Sequence, residues 1–470
     1  MPIDLLALRA EKGGDPEAVR DSQRRRFKDV GLVDTTVAKD QQWRQMQFAL
    51  EQKQKEYGQI NKQVGERKKA NKEDACEELV ARLKELDGEI EAGKKHVQEA
   101  FQELRSTLNL LGNVVHPSVP VSRDEADNRV ERTWGEPWRI EIDNTPGHYM
   151  HNALLYRING YDSERGQKVV GHRGYFLKGP GVLLNQALIN YGIQFLMSRQ
   201  YTPVQAPFFM KKSMMALTAE LADFDDQLYK VSTGQPDDEG FYLIATSEQP
   251  ISVMHQGEWM NPKDLPIRYA GVSSCFRKEA GAHGKDTWGI FRIHQFEKIE
   301  QFCITTPEAS WAMHEEMIGV AEDFYRSLEI PYRTVAIVSG ELNGAAAKKY
   351  DLEGWFPSYG TFRELVSCSN CTDFQSRAAE VRCGIKKKNQ TEKLYVHMLN
   401  ATLCATERTL CCLLENYQTP EGVRVPDVLK PFMHGIEFIP FVQELSKEED
   451  HAFKKEHPEL VPAPPAPPAS

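Results

Sequence analysis

Two hydrophobic stripes on either side of a short polar turn constrain this chain more than any other feature. In the first, Trp43, Met46, Leu50, Tyr57, Ile60 and Val64 recur at steps of three and four, with Lys53 the one polar break. After Ala70-Asn-Lys-Glu-Asp74 the spacing resumes at Cys76, Leu79, Leu83, Leu86, Ile90, Gly93, Val97, Ala100 and Leu104. Such steps keep side chains on one face of an α-helix. Neither helix can bury its own stripe. Folding back at the turn buries each against the other, which predicts an antiparallel helical hairpin over about residues 41–108. Roughly 30 residues at ~1.5 Å rise make an arm about 45 Å long. Its outer faces carry Lys62, Arg67, Lys68, Lys69, Lys72, Arg82, Lys84, Lys94 and Lys95, interleaved with glutamates. Coiled coils commonly serve oligomerisation, but a hairpin satisfies its own seam and leaves these faces free for a long, curved partner. Acids balance bases there, so phosphate contacts would be selective rather than a uniform basic stripe. The cluster Arg24-Arg25-Arg26, upstream, reads as solvated.

The Pro/Gly/Ser stretch Leu111-Gly-Asn-Val-Val-His-Pro-Ser-Val-Pro-Val-Ser-Arg-Asp-Glu ends this part. The expected organisation is an N-terminal domain over 1–115, a second domain over 116–445 and an extension over 446–470. The extension ends in Val461-Pro-Ala-Pro-Pro-Ala-Pro-Pro-Ala-Ser470, which cannot pack a core and reads as disordered or polyproline. The middle part alternates helical and strand patterns, as expected of an α+β core. A long helix from Gly181 to Met197 runs into extended Tyr201-Thr-Pro-Val-Gln-Ala-Pro207. Strands are expected at 272–279, 290–304 and 395–399, and a helix at 409–417. The net charge of −10 excludes a molecule that binds nucleic acid by bulk electrostatics, so any such surface is local. Nine cysteines without framework spacing imply a reducing, cytoplasmic compartment. The N-terminus resembles neither a secretory signal nor a transit peptide, and no run of about 18 apolar residues implies a membrane span.

Residues 267–279 and 289–304 read as two strands joined by the loop Ala280-Gly-Ala-His-Gly-Lys-Asp286. Alternation puts Arg277 and Glu279 on one face, and Arg292, His294, Phe296, Lys298 and Glu300 on one face of the second strand. A face so polar is a solvated surface or a binding floor. Three further stretches place polar groups where a strand would bury apolar ones: Thr246-Ser247-Glu248, Glu364-Leu365-Val366-Ser367, and Asn400-Ala-Thr402 followed by Arg408. Arg408 falls at a helix start, where the dipole disfavours a cation; a bound anion would remove the conflict, and so would a surface pairing with Glu407 or Glu415. The phosphate-binding glycine motifs of P-loops and dinucleotide folds are absent. Cys368-Ser-Asn-Cys371 has the spacing of half a zinc site. Cys383 and His397 could complete it, but a buried, inert pair is the expectation, with no structural zinc.

In this order the stretches resemble the class II aminoacyl-tRNA synthetases, specifically the seryl-tRNA synthetases of the eukaryotic cytosolic kind. The resemblance covers nearly the whole chain. Lys12-Gly-Gly-Asp-Pro16, Arg26-Phe-Lys-Asp29 and Gly31-Leu-Val-Asp34 look like that family's N-terminus, and the hairpin looks like its tRNA-binding arm. Gln200 to Pro207 resembles motif 1, at a homodimer interface. Phe276-Arg277-Lys278-Glu279 through His294-Gln-Phe-Glu-Lys-Ile-Glu300 resembles motif 2, and Asn400 through Arg408 resembles motif 3. The long strings Thr246-Ser-Glu-Gln-Pro250 and His294 to Glu300 are highly specific.

The resemblance implies a class II antiparallel sheet flanked by helices, and ATP-dependent ligation of L-serine to tRNA(Ser) through a seryl-adenylate. Selenocysteine tRNA is a further expected substrate. Implied catalytic residues are Arg277, Arg408 and Glu364. Thr246, Ser247, Glu248, Arg277, Glu300, Asn400 and Thr402 are implied for serine, with Glu300 taking the ammonium and hydroxyl and Thr402 the hydroxyl. For ATP the set is Arg277, Lys278, Glu279, Ile293, His294, Gln295, Phe296, Glu364, Leu365, Val366, Ser367 and Arg408. Within it Glu279 reads the adenine amino group, Phe296 stacks on adenine and Arg408 clamps the γ-phosphate. Glu364 and Ser367 are implied ligands of a magnesium ion bound with ATP. The tRNA partner is expected on the arm and on the motif 2 loop. Departures are Ala401, Cys404 and Glu407, where bacterial members carry glycines, and Trp288, where many relatives have arginine. The alternative is an inactive paralogue that binds RNA or protein. Retention of Arg277, Glu279, Glu300, Glu364 and Arg408 argues against it.

Overall fold

The computed structural model describes every residue except 1–2, 139–148, 219–225, 233, 235–238, 281–288, 387–392 and 446–470. Most of the loop after Ala280, Trp288 and the Pro-rich tail therefore lie outside the described residues. The chain divides into two compact units, Met1–Val115 and a second that begins at His116.

In the first unit Asp15 caps α1 (Pro16–Arg25), accepting from the amides of Glu17 and Ala18, with proline at the helix start. The hairpin is α2 (Gly31–Ala70), of 40 residues, and α3 (Glu77–Leu108), of 32 residues. At ~1.5 Å per residue α2 is about 60 Å long, longer than the heptad stripe implied. The extra turns are those before Trp43. They are held by other contacts than the seam: buried Asp40 accepts from Arg9 at 2.6 and 2.9 Å and pairs with Arg44 at 3.0 Å. In the seam Leu50, Val64, Leu86, Ile90 and Leu104 are buried, and the rings of Trp43 and Phe101 lie 5.3 Å apart. Gly93 leaves room for Leu50; a Cβ there would meet Leu50 Cδ1 at 3.1 Å. The polar break is satisfied across the hairpin, since Lys53 pairs with Glu89 at 3.0 Å, as Arg82 does with Glu56 at 2.8 Å.

The second unit is built on an eight-stranded sheet. In chain order its strands are β1 (Arg129–Trp134), β2 (Thr202–Gln205), β3 (Ile267–Phe276), β4 (Gln295–Thr305), β5 (Tyr332–Ala336), β6 (Lys348–Phe356), β7 (Thr361–Asn370) and β8 (His397–Ala405). The spatial order is β1-β5-β6-β7-β8-β4-β3-β2. Neighbours are antiparallel except β2, which runs parallel to β3. Helices α4 (Gly179–Met197), α5 (Glu248–Val253), α6 (Ser310–Ser327), α7 (Phe374–Ala379) and α8 (Thr406–Tyr417) pack around it.

The period-two pattern of β4 divides the unit. Ile299 and Cys303 join the main core with Phe324, Tyr325 and Leu403, and Gly192 of α4 lets that helix approach Ile299 closely. Phe302 and Ile304 join a smaller cluster with Ile251 and Met398. Between them, on the face of Phe302, stand Phe296, Lys298 and Glu300. Close packing of this kind makes each buried position sensitive to volume.

Strand limits differ from the sequence expectation. β4 begins at Gln295, not near 289, because β3 stops at Phe276 and Glu279 turns to φ 50°. One further rung, Arg277 N to His294 O at 2.9 Å, closes the ladder. Ile290, Phe291 and Ile293 are buried in the irregular segment between. β8 runs to Ala405 rather than ending at Leu399. No helix among the described residues is long and apolar enough to cross a membrane.

Candidate active site

A cavity of about 440 Å³ opens over β4, β7 and β8. Its walls include Thr246, Glu248, Arg277, Glu279, Ile293, Phe296, Glu300, Glu364, Leu365, Ser367, Asn400, Thr402 and Arg408, drawn from all four polar stretches. Two bulges make this convergence possible. In the β6–β7 pairing Leu352 faces Val366 and Glu353 faces Glu364, so Leu365 is an extra residue. Glu364 and Ser367, three apart, would point to opposite faces of a regular strand; the bulge lets both line the cavity. In the β4–β8 pairing Ile299 faces Cys404 and Glu300 faces Thr402, which makes Leu403 the extra residue. Thr402 and Ala405 then both reach the cavity.

One cluster is built on carboxylates. Glu300 pairs with Lys298, and both are buried. Thr246 Oγ1 donates to Glu300 Oε2 at 3.1 Å and accepts from Lys298 Nζ at 2.8 Å. Glu248 accepts from Gln375 Nε2 at 2.6 Å and from Asn400 Nδ2 at 2.9 Å. Burial, and then the nearby Glu300, push the Glu248 carboxyl up to about 7.

A second cluster is built on Glu364. Arg408 Nη1 lies 3.3 Å from Glu364 Oε2, and its Nε donates to Phe291 O at 3.3 Å. Glu364 is 49 % exposed, but into the cavity, so protein still surrounds it. Burial pushes its carboxyl up; Arg408, then Lys349 and Arg277, outweigh that and hold it below the usual range. Behind it Asp351 sits opposite Ser367, with Lys349 at 3.5 Å, and burial raises its carboxyl. The cation at the start of α8 is thus met by Glu364 and a backbone carbonyl. Glu407 and Glu415, the surface alternatives, are buried and occupied elsewhere: Glu407 accepts from Glu297 N at 3.0 Å, and Glu415 lies 2.9 Å from His151 Nδ1. Arg277 stands over the Phe296 ring, 5.2 Å from its centroid. Arg292 reaches Glu279 Oε2 at 3.3 Å.

Five residues of the sequence-derived set do not line this cavity. Ser247 is fully buried beneath Gly271, where a Cβ would meet its Oγ at 2.5 Å. Val366 points into the main core. Lys278 is tied by its amide to Gln227 O at 3.0 Å. His294 and Gln295 line a separate cavity of about 590 Å³ with Tyr175, Phe176, Tyr229, Leu243 and Phe276. His294 therefore does not share the face of Phe296, because alternation holds only inside the strand, and the strand starts one residue later. Gln295 and Val366 miss the cavity for the same reason, as strand neighbours of residues that face it. Conversely, Lys298, Arg292 and Asn343 line the cavity without having been assigned to it, and Gln375 stands behind Glu248. Alternation already pointed to Lys298; nothing local marks Gln375. Cys368 and Cys371 are buried, with the Cys371 sulfur 3.5 Å from Asn400 Nδ2, and His397 Nδ1 is 2.8 Å from Ser310 Oγ.

Comparison with known proteins supplies the family. Residues 229–417 match the tRNA synthetase class II core domain (G, H, P, S and T), and residues 3–115 match the seryl-tRNA synthetase N-terminal domain. The chain is 54% identical over 449 residues to the cytoplasmic serine–tRNA ligase of Dictyostelium discoideum, covering 96% of this chain and 97% of that one. It is 55% identical over 447 residues to the serine–tRNA ligase of Helianthus annuus, covering 95% and 100%. Among solved structures it resembles the cytoplasmic serine–tRNA ligase of Naegleria fowleri in complex with AMP, with TM-score 0.82, 47% identity and coverage of 94% and 99%. It also resembles the seryl-tRNA synthetase of Pyrococcus horikoshii complexed with ATP, with TM-score 0.84, 38% identity and coverage of 94% and 100%. With both domains matched and about half of all residues shared over nearly its whole length, the chain belongs to the seryl-tRNA synthetase family.

Proposed function

We propose that the protein is a cytoplasmic serine–tRNA ligase, which activates L-serine with ATP and transfers it to tRNA(Ser). The observation that carries this reading is the meeting of Arg277, Glu300, Glu364, Phe296 and Arg408 in one cavity. Serine's carboxylate attacks the α-phosphorus in line and pyrophosphate leaves. That carboxylate is already ionised at neutral pH, so the site needs no general base. It must supply orientation and charge compensation. Arg277 holds the α-phosphate and the serine carboxylate together. Phe296 offers adenine a ring face and Glu279, steadied by Arg292, reads its amino group. Arg408 takes the γ-phosphate. Glu248 and Glu300 receive the ammonium, and Glu300 and Thr402 the hydroxyl.

Glu364 and Ser367 would hold the magnesium. The donor set fits a hard cation: Glu364 is kept ionised, Ser367 adds an oxygen, and buried Asp351 Oδ1 behind them has no partner among the described residues. Bound there, the ion would offset phosphate charge. A paralogue that only binds RNA or protein would have no use for these five side chains in one cavity.

Residues 1–115 form the tRNA-binding part and residues 116–445 the catalytic part. The lysines and arginines on the outer faces of α2 and α3 contact tRNA selectively, and the loop after Ala280 meets the acceptor end. Selenocysteine tRNA belongs to the same substrate class. In this reading the protein is a homodimer through motif 1. The test is charging of a tRNA(Ser) transcript with labelled serine. The reading predicts serylation that requires ATP and magnesium; a folded protein that binds the transcript without charging it would favour the paralogue.

A further inference from the structure

Glu248 is held by one oxygen only. Gln375 Nε2 and Asn400 Nδ2 both donate to its Oε1, at 2.6 and 2.9 Å. Among the described residues no hydrogen bond reaches Oε2, and Glu248 lines the cavity. Asn400 is itself part of the cavity wall. Gln375 is not: it comes from α7, behind the wall, and is 2 % exposed.

The backbone that carries Gln375 is fixed to the sheet. Phe374 N donates to Cys371 O at 3.1 Å, Cys371 N donates to Met398 O at 3.1 Å, and Ser376 Oγ donates to Val396 O at 2.5 Å. The amide's own carbonyl, Oε1, is buried and without a partner among the described residues. An amide that leaves its carbonyl unpaired is oriented by what its NH₂ group gains. Here the gain is a charge-assisted bond to a carboxylate. Turned over, the amide would set its carbonyl against Glu248 and repel the ionised form. This orientation fills Oε1 of Glu248 with two donors and leaves Oε2 open.

We propose that Gln375 is a positioning residue for amino-acid binding: with Asn400 it locks one oxygen of Glu248 and presents the other, in fixed orientation, to the ammonium of the incoming amino acid. The inference rests on the reading of this cavity as a serine site. A pre-oriented acceptor takes the ammonium without reorganisation. The groups facing Glu248 are Gln375 of α7, Asn400 of β8, Lys298 and Glu300 of β4, and Arg277 beyond β3. Burial and Glu300 raise its carboxyl; the Gln375 bond, Lys298 and Arg277 oppose the rise. Loss of the Gln375 donor lets it rise further.

The test is Gln375→Met in the full-length enzyme, an apolar side chain of similar length for a buried position. Serine KM in ATP–pyrophosphate exchange rises about 10-fold, the loss of one hydrogen bond to a charged group. KM for ATP stays within about twofold, and the midpoint of the pH dependence of serine KM moves upward. A second variant, Gln375→Glu, keeps the shape but sets another carboxyl against Glu248, and raises serine KM more at about pH 8 than at about pH 6. An unchanged serine KM and midpoint in either variant would overturn the proposal. So would an equal rise in both KM values, which would assign Gln375 to general packing. Absence of serine-dependent exchange in the unmodified enzyme would overturn the reading of the cavity itself.

Discussion

Glu248 and Glu364 show how neighbouring carboxylates acquire different tasks. Both line one cavity, yet one is raised and the other lowered. Glu248 has burial and another carboxylate against its charge; Glu364 has Arg408 and Lys349 in its favour. The sign of the resulting pH effect is fixed. As pH falls through about 7, Glu248 takes up a proton and loses its attraction for the serine ammonium, so serine KM rises on the acid side. Glu248→Gln raises serine KM at neutral pH and removes that acid-side rise. Exchange kinetics at saturating ATP measure it, and a serine KM that is flat in the unmodified enzyme between about pH 6 and 8 counts against the assignment. Arg408 gives a second prediction. Arg408→Ala removes a clamp on developing phosphate charge and lowers kcat for adenylate formation by about 100-fold, with a smaller effect on serine KM. Arg408→Lys restores little, because lysine lacks the planar fork.

At the scale of elements, what was legible in the sequence followed from periodicity. The heptad steps located the α2–α3 seam, and alternation located the face of Phe296, Lys298 and Glu300. What was illegible is what breaks a period. The extra residues Leu365 and Leu403 look like ordinary strand positions, yet they turn Ser367 and Ala405 toward the cavity. The start of β4 depends on where β3 stops pairing, which no local pattern encodes. Gln375 is far in sequence from Glu248 and meets it only through the fold. The family resemblance supplied roles that spacing alone did not, and it carried Ser247 and Val366 along with the residues that do face the cavity. The seam allows a direct test. Leu86 is fully buried in it, so Leu86→Ala costs the hairpin about 2–5 kcal/mol. Calorimetry of the whole chain then shows a lowered transition for the first unit. Serine-dependent exchange changes less than about twofold while tRNA charging falls, because the proposed activation site lies in the second unit. Equal loss of both activities would contradict this division.

At the scale of the molecule, a net charge of −10 leaves no bulk attraction for RNA, so the proposed tRNA contact falls to individual lysines and arginines on the outer faces of the arm, where acids balance bases. The hairpin tip tests this. Deletion of residues 67–84 leaves adenylate formation nearly intact and cripples charging of tRNA(Ser), with the lost binding strongest at low salt. The central claim is that the cavity over β4, β7 and β8 activates serine. Its most direct measurement is ATP–pyrophosphate exchange by the unmodified enzyme with serine, alanine and threonine in turn. The account predicts exchange with serine and at least about 100-fold less with alanine, whose missing hydroxyl leaves buried polar groups unpaired. Threonine must be turned away by the shape of the site. A folded protein that shows no serine-dependent exchange, or that exchanges equally well with alanine, would contradict it.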